Sequence, residues 1–215
     1  MSRRIIDLTL AYQEGMPGYR QEISHQFEKE GWNARLLELY SHAGTHMDAP
    51  FHFDLEGTID QVPLDACMGE AWVVDLPDLP DQYLIGTPDL GDLADRIRPG
   101  DMVLFRTGWS HYLGMSKYRN GLPRISTDLA QWLVDQKVGL IGVEGPSVAD
   151  VNNREEVTQI HRILLRGGVI IVEGLTNLEA IRREKVGFIA LPLKIHQGDG
   201  APCRALAIET TYEAE

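Results

Sequence analysis

The chain has 215 residues, 43% of them hydrophobic and 24% charged, the balance of an ordinary globular protein with a core to bury. Its 32 acidic and 20 basic residues leave a formal charge of -12, so phosphate backbones and anionic membrane surfaces would be repelled. The expected partners are small molecules and further copies of the chain, with no nucleic acid and no membrane.

The first apolar run, Arg4–Leu8, reads as a strand, and Asp7 within it interrupts the apolar stretch that a secretory signal needs. Leu36–Tyr40, Ala71–Leu76 and Met102–Thr107 are further short runs bounded by turn residues, and they also predict strands. Gly- and Pro-punctuated connectors follow at 86–100 and 109–124, neither polar and simple enough to be a linker. Thr127–Gln136 sets Leu129, Trp132 and Leu133 on one helical face. After a strand at Val138–Val143, the clearest helix is Asn153–Leu165, with capping-box spacing at Asn153 and Glu156 and a stop at Gly167-Gly168. Val169–Val172 predicts a strand, and Thr176-Asn-Leu-Glu179 repeats the box before another helix. Val186–Leu193 and Arg204–Thr210 flank a strong turn signal, Gln-Gly-Asp-Gly-Ala-Pro, and predict a hairpin. Strands outnumber helices. The expectation is an α/β protein with a mixed sheet and one domain over residues 1–215. No window approaches a membrane span. Cys67 and Cys203 are too few for a disulfide framework, so reduced thiols and a cytoplasmic location are expected.

An internal echo marks two positions. Gly139-Leu-Ile-Gly-Val-Glu144-Gly and Gly168-Val-Ile-Ile-Val-Glu173-Gly both run an apolar strand into Glu-Gly, which puts each glutamate at a strand's carboxyl end, where open α/β sheets bind ligands.

The chemistry concentrates in His42-Ala-Gly-Thr-His46-Met-Asp48-Ala-Pro-Phe-His52. Seven histidines in the whole chain predict about 0.4 in an eleven-residue window, and this one holds three. Gly44 and Pro50 exclude a helix, so the segment is expected to be a loop leaving the strand Leu36–Tyr40. In such a loop His42, His46 and Asp48 can curl around a divalent ion, the open three-ligand pattern that leaves a position for water. The bland alternative is a tight turn held by Thr45 and Asp48. His52 suits either a further ligand or a proton-transfer group. His161 shares a helix face with Val157, Ile160 and Leu164, so it points inward, as a ligand or as a buried histidine satisfied by a backbone carbonyl. Glu173 ends an apolar strand, where a carboxylate is costly unless paired or metal-bound.

These residues resemble the signature of the cyclase family, which includes bacterial kynurenine formamidases and isatin hydrolases. The resemblance runs from Asp7-Leu-Thr through the His-rich segment, His161 and Val172-Glu173-Gly-Leu to Gly198-Asp-Gly-Ala-Pro-Cys-Arg204-Ala. It implies a swivelling β/β/α fold, a homodimer or homotetramer, and one or two ions per subunit, zinc first and manganese as the alternative. It further implies hydrolysis of a small amide, formamide or lactam. By position, His42 and His46 would hold the first ion, Asp48 and Glu173 would bridge to a second, His161 would complete that second ion's shell, and His52 would move the proton.

Two departures stand out. Glu144 replaces the family's more usual aspartate and is expected to be a hydrogen-bond partner rather than a ligand. Met16-Pro-Gly stands where kynurenine formamidases carry Trp-Pro-Gly, so Met16 is the expected substrate-side residue, and kynurenine formamidase activity proper is a narrower alternative. An esterase or lactonase on the same site, and a non-catalytic metal-binding scaffold, are the others. Asp199 and Arg204 fit the late stretch of the resemblance and are read either as an ion pair near the site or, preferred, as a solvated turn pair in the hairpin, and His25, His111 and His196 are expected to be surface or loop residues. Trp109, Tyr112 and Tyr118 are read either as lining a pocket or as packing.

Overall fold

The computed structural model describes residues 2–211. In chain order the elements are β1 (Ser2–Asp7), β2 (Tyr19–His25), α1 (Phe27–Glu30), β3 (Ala34–Leu39), β4 (His46–Asp48), β5 (Met68–Asp75), β6 (Leu84–Ile85) and β7 (Met102–Arg106). They continue as α2 (Ser116–Asn120), β8 (Arg124–Ile125), α3 (Thr127–Asp135), β9 (Leu140–Val143), α4 (Arg154–Arg166), β10 (Ile170–Glu173), β11 (Lys185–Pro192) and β12 (Gly200–Thr211). The main sheet has the order β1-β12-β11-β5-β7-β9-β10-β4, and β12 also pairs with β4, so the sheet closes on itself like a barrel. Its β5, β7, β9 and β10 run parallel and its other pairings are antiparallel, which is the mixed α/β sheet expected.

The two-residue period of the strands builds two cores, one on each face of the sheet. Ala71 and Val73 of β5, Met102 and Leu104 of β7, Leu140 of β9 and Val172 of β10 pack inside the ring with Phe188 and the alanines of β12. The alternate residues Trp72, Val74, Val103, Phe105, Ile141 and Ile171 pack outward under α3 and α4. α4 begins at Asn153, whose side chain accepts the Glu156 N–H, and it ends where Gly168 turns left-handed at φ +79°.

Two expectations are corrected. The box at Thr176 does not open a helix: Asn177 is left-handed and only a short 3-10 turn, Leu178–Ala180, fits before β11. The His-rich segment is not simply a loop either. Residues 46–48 form β4, hydrogen-bonded between β10 and β12. A three-residue strand is too short to show a period, so only its backbone partners reveal it. β2 and β3 form a separate ribbon that leaves Ile23, Leu36 and Leu37 exposed. Among the described residues no helix is long and apolar enough to cross a membrane.

Candidate metal centre

Strand alternation sends Met47 into the barrel core and His46 and Asp48 to the opposite face. Glu173 closes β10 directly opposite His46 in the antiparallel pair, so the two side chains leave the sheet as neighbours. α4 lies over the same face through Ile160, Leu164 and Leu165, and it brings His161 to these residues. Sequence-distant donors therefore meet because a strand edge and a helix stripe share one core.

The two inner rings are oriented from behind. His46 Nδ1 lies 3.0 Å from the Gly44 carbonyl and His161 Nδ1 lies 2.7 Å from the Val157 carbonyl. Each Nδ1–H donates there, which turns both Nε2 atoms toward the carboxylates. His46 Nε2 stands 3.3 Å from Glu173 Oε2 and 3.6 Å from Asp48 Oδ1. His161 Nε2 stands 3.2 Å from Glu173 Oε1 and 3.5 Å from Asp48 Oδ2. His42 meets the same carboxylate, its Nδ1 2.8 Å from Asp48 Oδ1 and its ring edge-on to His46 at 5.1 Å, and the His52 ring stacks on it at 3.8 Å. Phe53, beside His52 in the 3-10 turn Pro50–Phe53, stacks on His161 at 4.6 Å.

The donor set fits a cation. His46 Nε2 and Asp48 Oδ2 are buried without a hydrogen-bond partner, and both residues are 2% exposed. Two orphaned atoms of ligand chemistry, side by side, are costly unless a positive ion satisfies them. His46, Asp48 and Glu173 can converge on one point, as can His42, Asp48 and His52.

Electrostatics lead to the same place. Burial disfavours charge on His42, but Asp48 and Asp199 against its two nitrogens outweigh it and raise its pKa to about 9. Burial is likewise overcome at His46 and His161, where Glu173 and Asp48 push the pKa up. Glu173 is pulled well below the usual carboxylate range by those two rings, despite its burial. His52 differs: burial dominates and lowers its pKa.

Thus His42, His46, Asp48, His52, His161 and Glu173 are brought together. Met16 is buried under the preceding turn, where a Cβ added at Gly44 would meet its Sδ at 3.4 Å. Glu144 accepts hydrogen bonds from Thr107 N–H (2.7 Å), Gly108 N–H (2.6 Å) and the hydroxyls of Thr107 and Ser110, tying the end of β9 to the loop after β7. The reading of Asp199 and Arg204 as a turn pair is overturned. Arg204 binds Asp7 at 2.6 Å, and Asp199 Oδ2 lies 2.9 Å from His42 Nε2. Its sequence signals were the turn composition of Gly198-Asp-Gly and its place in the late stretch of the family resemblance. Trp109 is buried, its indole N–H donating to the Tyr118 carbonyl at 3.0 Å, which is a packing role. His111 and His196 are exposed and face Glu179 and Asp60.

The family model described as "Putative cyclase" matches residues 6–150. Kynurenine formamidase of Erythrobacter litoralis is 32% identical over 215 residues, covering 96% of this chain and 94% of that protein. Kynurenine formamidase of Salinibacter ruber is 37% identical over 181 residues, 81% of this chain and 79% of that protein. Among solved structures, isatin hydrolase A from Labrenzia aggregata bound to benzyl benzoate superposes with a TM-score of 0.89 at 25% identity, over 97% of this chain and 94% of that one. A buried imidazole–carboxylate centre on a closed mixed sheet, with relatives matched along nearly the whole length, means that the chain belongs to the cyclase family of metal-dependent hydrolases.

Proposed function

We propose that this centre holds one or two divalent ions, zinc in the first place and manganese as the alternative, and that it hydrolyses the C–N bond of a small amide, formamide or lactam. The observation that carries the reading is the pair of orphaned buried atoms, His46 Nε2 and Asp48 Oδ2, facing Glu173 and His161. Imidazole and carboxylate donors suit zinc and manganese, and no thiolate competes: burial pushes the Cys203 thiol up to about 12. When bound, such an ion polarises a carbonyl and makes hydroxide available near neutral pH.

The protein's own residues divide the remaining work. His42 and His46 would hold the first ion, Asp48 and Glu173 would be shared with a second, and His161 would complete the set that holds the second. His52, 27% exposed at its side chain, takes the proton from the attacking water and returns it to the leaving nitrogen. Phe53 keeps water from the His161 side by covering that ring. Met16 is the proposed substrate-side residue. It offers a thioether in place of an aromatic face, which favours the broad amide class over kynurenine formamidase proper.

The β2–β3 ribbon exposes Ile23, Phe27, Trp32, Leu36 and Leu37, and an isolated two-stranded ribbon is marginal in water. A second copy is the cover we assign to it, as a homodimer or a tetramer built from it, which sedimentation equilibrium tests. Two buried free thiols fit a cytoplasmic location. The activity is tested by screening the zinc- or manganese-loaded protein against N-formylanilines, isatins, cyclic imides and lactones. Amide or lactam turnover is expected. Turnover of lactones alone would replace the reading with an esterase, and full metal occupancy without turnover would replace it with a scaffold.

A further inference from the structure

Asp199 sits on the turn between β11 and β12, and its backbone is fixed independently of its side chain. Its carbonyl accepts the Ala49 N–H at 2.9 Å, and the neighbouring Gly198 carbonyl accepts the Ile59 N–H at 2.9 Å. From this anchored turn the carboxylate reaches the centre: Oδ2 lies 2.9 Å from His42 Nε2, 3.3 Å from Ser41 Oγ and 3.8 Å from His52 Nδ1. The flanking glycines permit the approach. A Cβ at Gly200 would stand 2.7 Å from His42 Cε1 and 2.8 Å from the Met47 carbonyl, and one at Gly198 would stand 2.7 Å from Ile59 Cγ2.

His42 therefore lies between two carboxylates, Asp48 at Nδ1 (2.8 Å) and Asp199 at Nε2. A neutral imidazole has one N–H and one lone pair, so the two acids receive different things. Asp48 is 1% exposed at its side chain and belongs to the donor cluster, whereas Asp199 is 40% exposed and touches no other proposed ligand within 3.5 Å. We infer that Asp199 is a positioning residue: it accepts the Nε2–H of His42 and so aims the Nδ1 lone pair at the Asp48 side of the centre. Carboxylates placed behind ligating imidazoles fix tautomer and ring orientation in this way in metal sites generally. The inference rests on the reading of the centre as a metal site.

Chelator-stripped wild type, Asp199→Ala and Asp199→Asn are titrated with Co2+ and followed by visible absorption, with circular dichroism melts to show that each is folded. Asp199→Ala should bind about 10–100-fold more weakly than wild type. Asp199→Asn, whose amide oxygen still accepts the Nε2–H, should recover most of the loss. Wild-type affinity in Asp199→Ala would overturn the inference, and so would an Asn variant as weak as the Ala variant, which would mean that charge or direct ligation matters instead. Independently of any variant, 15N-histidine NMR of the Zn2+-loaded wild type should place the His42 proton on Nε2, and a proton on Nδ1 would overturn the inference. A wild type that takes up neither ion would instead remove the metal reading itself, and this inference with it.

Discussion

Gly174 follows Glu173 at the point where β10 meets the turn that leads into His46 and β4, and replacing it by alanine should break the centre while leaving the fold. Gly174 has φ +67°, and a Cβ there would stand 2.3 Å from the Gly44 carbonyl oxygen and 2.9 Å from its carbon. An ordinary close carbon–oxygen approach is about 3.3 Å, so roughly 1 Å must open between the two segments. Both obstructing atoms are backbone, so no rotamer change relieves the clash. The junction is also locked, because Thr45 donates its hydroxyl to the Gly174 carbonyl at 2.6 Å and Gly174 N–H donates to the Gly145 carbonyl at 2.8 Å. Left-handed strain of about 1–2 kcal/mol adds to an overpacking cost of about 1–3 kcal/mol. In a chain of this size the sum lowers Tm by about 5–15 °C. The same displacement falls on the 3.3 Å contact between His46 Nε2 and Glu173 Oε2, so bound metal should be lost first. Calorimetry and elemental analysis after gel filtration measure the two effects. A Gly174→Ala protein with full metal content and an unshifted Tm would refute the claim that this close approach sets the ligand spacing.

His52→Ala should keep its metal and lose about 10²–10⁴ in kcat, the usual worth of a positioned acid–base group; metal loss in elemental analysis would make His52 a ligand instead. Removing the ion by chelation should lower Tm by about 5–10 °C relative to protein at 100 times Kd, where binding contributes about 2.7 kcal/mol. An unchanged Tm in paired calorimetric scans would mean that no ion binds the folded chain. Glu209 is buried, yet the N–H groups of Arg182 (2.6 Å) and Arg183 (3.2 Å) and the Arg4 guanidinium overcome burial and hold its pKa below the ordinary range. A depressed folded pKa stabilises above the unfolded value and is lost as pH falls through the folded one. The urea midpoints of wild type and Glu209→Gln should therefore differ near neutral pH and converge in acid; a gap that ignores pH would contradict this.

How much of this was legible in the sequence depended on whether a residue's role was local. The strands read as apolar runs agree with the structure to within a few residues, because a buried strand writes its own pattern: Met102–Thr107 against Met102–Arg106, and Val186–Leu193 against Lys185–Pro192. α4 was legible for the same reason, since its cap and its stripe are properties of one segment. β2 was missed because Tyr19–His25 carries only two apolar side chains, Tyr19 and Ile23, and Arg20 to Ser24 are exposed, so no burial enforces a pattern there. The candidate centre was half legible. The density of histidines in 42–52 announces a site, but which donors meet depends on register: Glu173 opposite His46, and Gly200 opposite Asp48. Asp199 enters only through that second pairing, and no composition rule could have separated it from a solvated turn.

That register makes β4 the joint of both fold and centre. A three-residue strand has little cohesion of its own, and its hydrogen bonds to β10 and β12 close the sheet while its outer face carries His46 and Asp48. Met47 is its one side chain directed into the barrel core, and it is 0% exposed. Met47→Ala should therefore cost about 2–5 kcal/mol, like other large-to-small core changes, and should also weaken metal binding by loosening the strand that holds two donors. Leu104→Ala is the matched control: Leu104 is equally buried in the same core, but on β7, which contributes no donor. Urea unfolding and Co2+ titration of the two variants separate the effects. Similar losses of stability with weaker binding only in Met47→Ala would tie the centre to the closing strand. Equal weakening in both would mean that the donors respond to the core as a whole, and that β4 holds no special place in it.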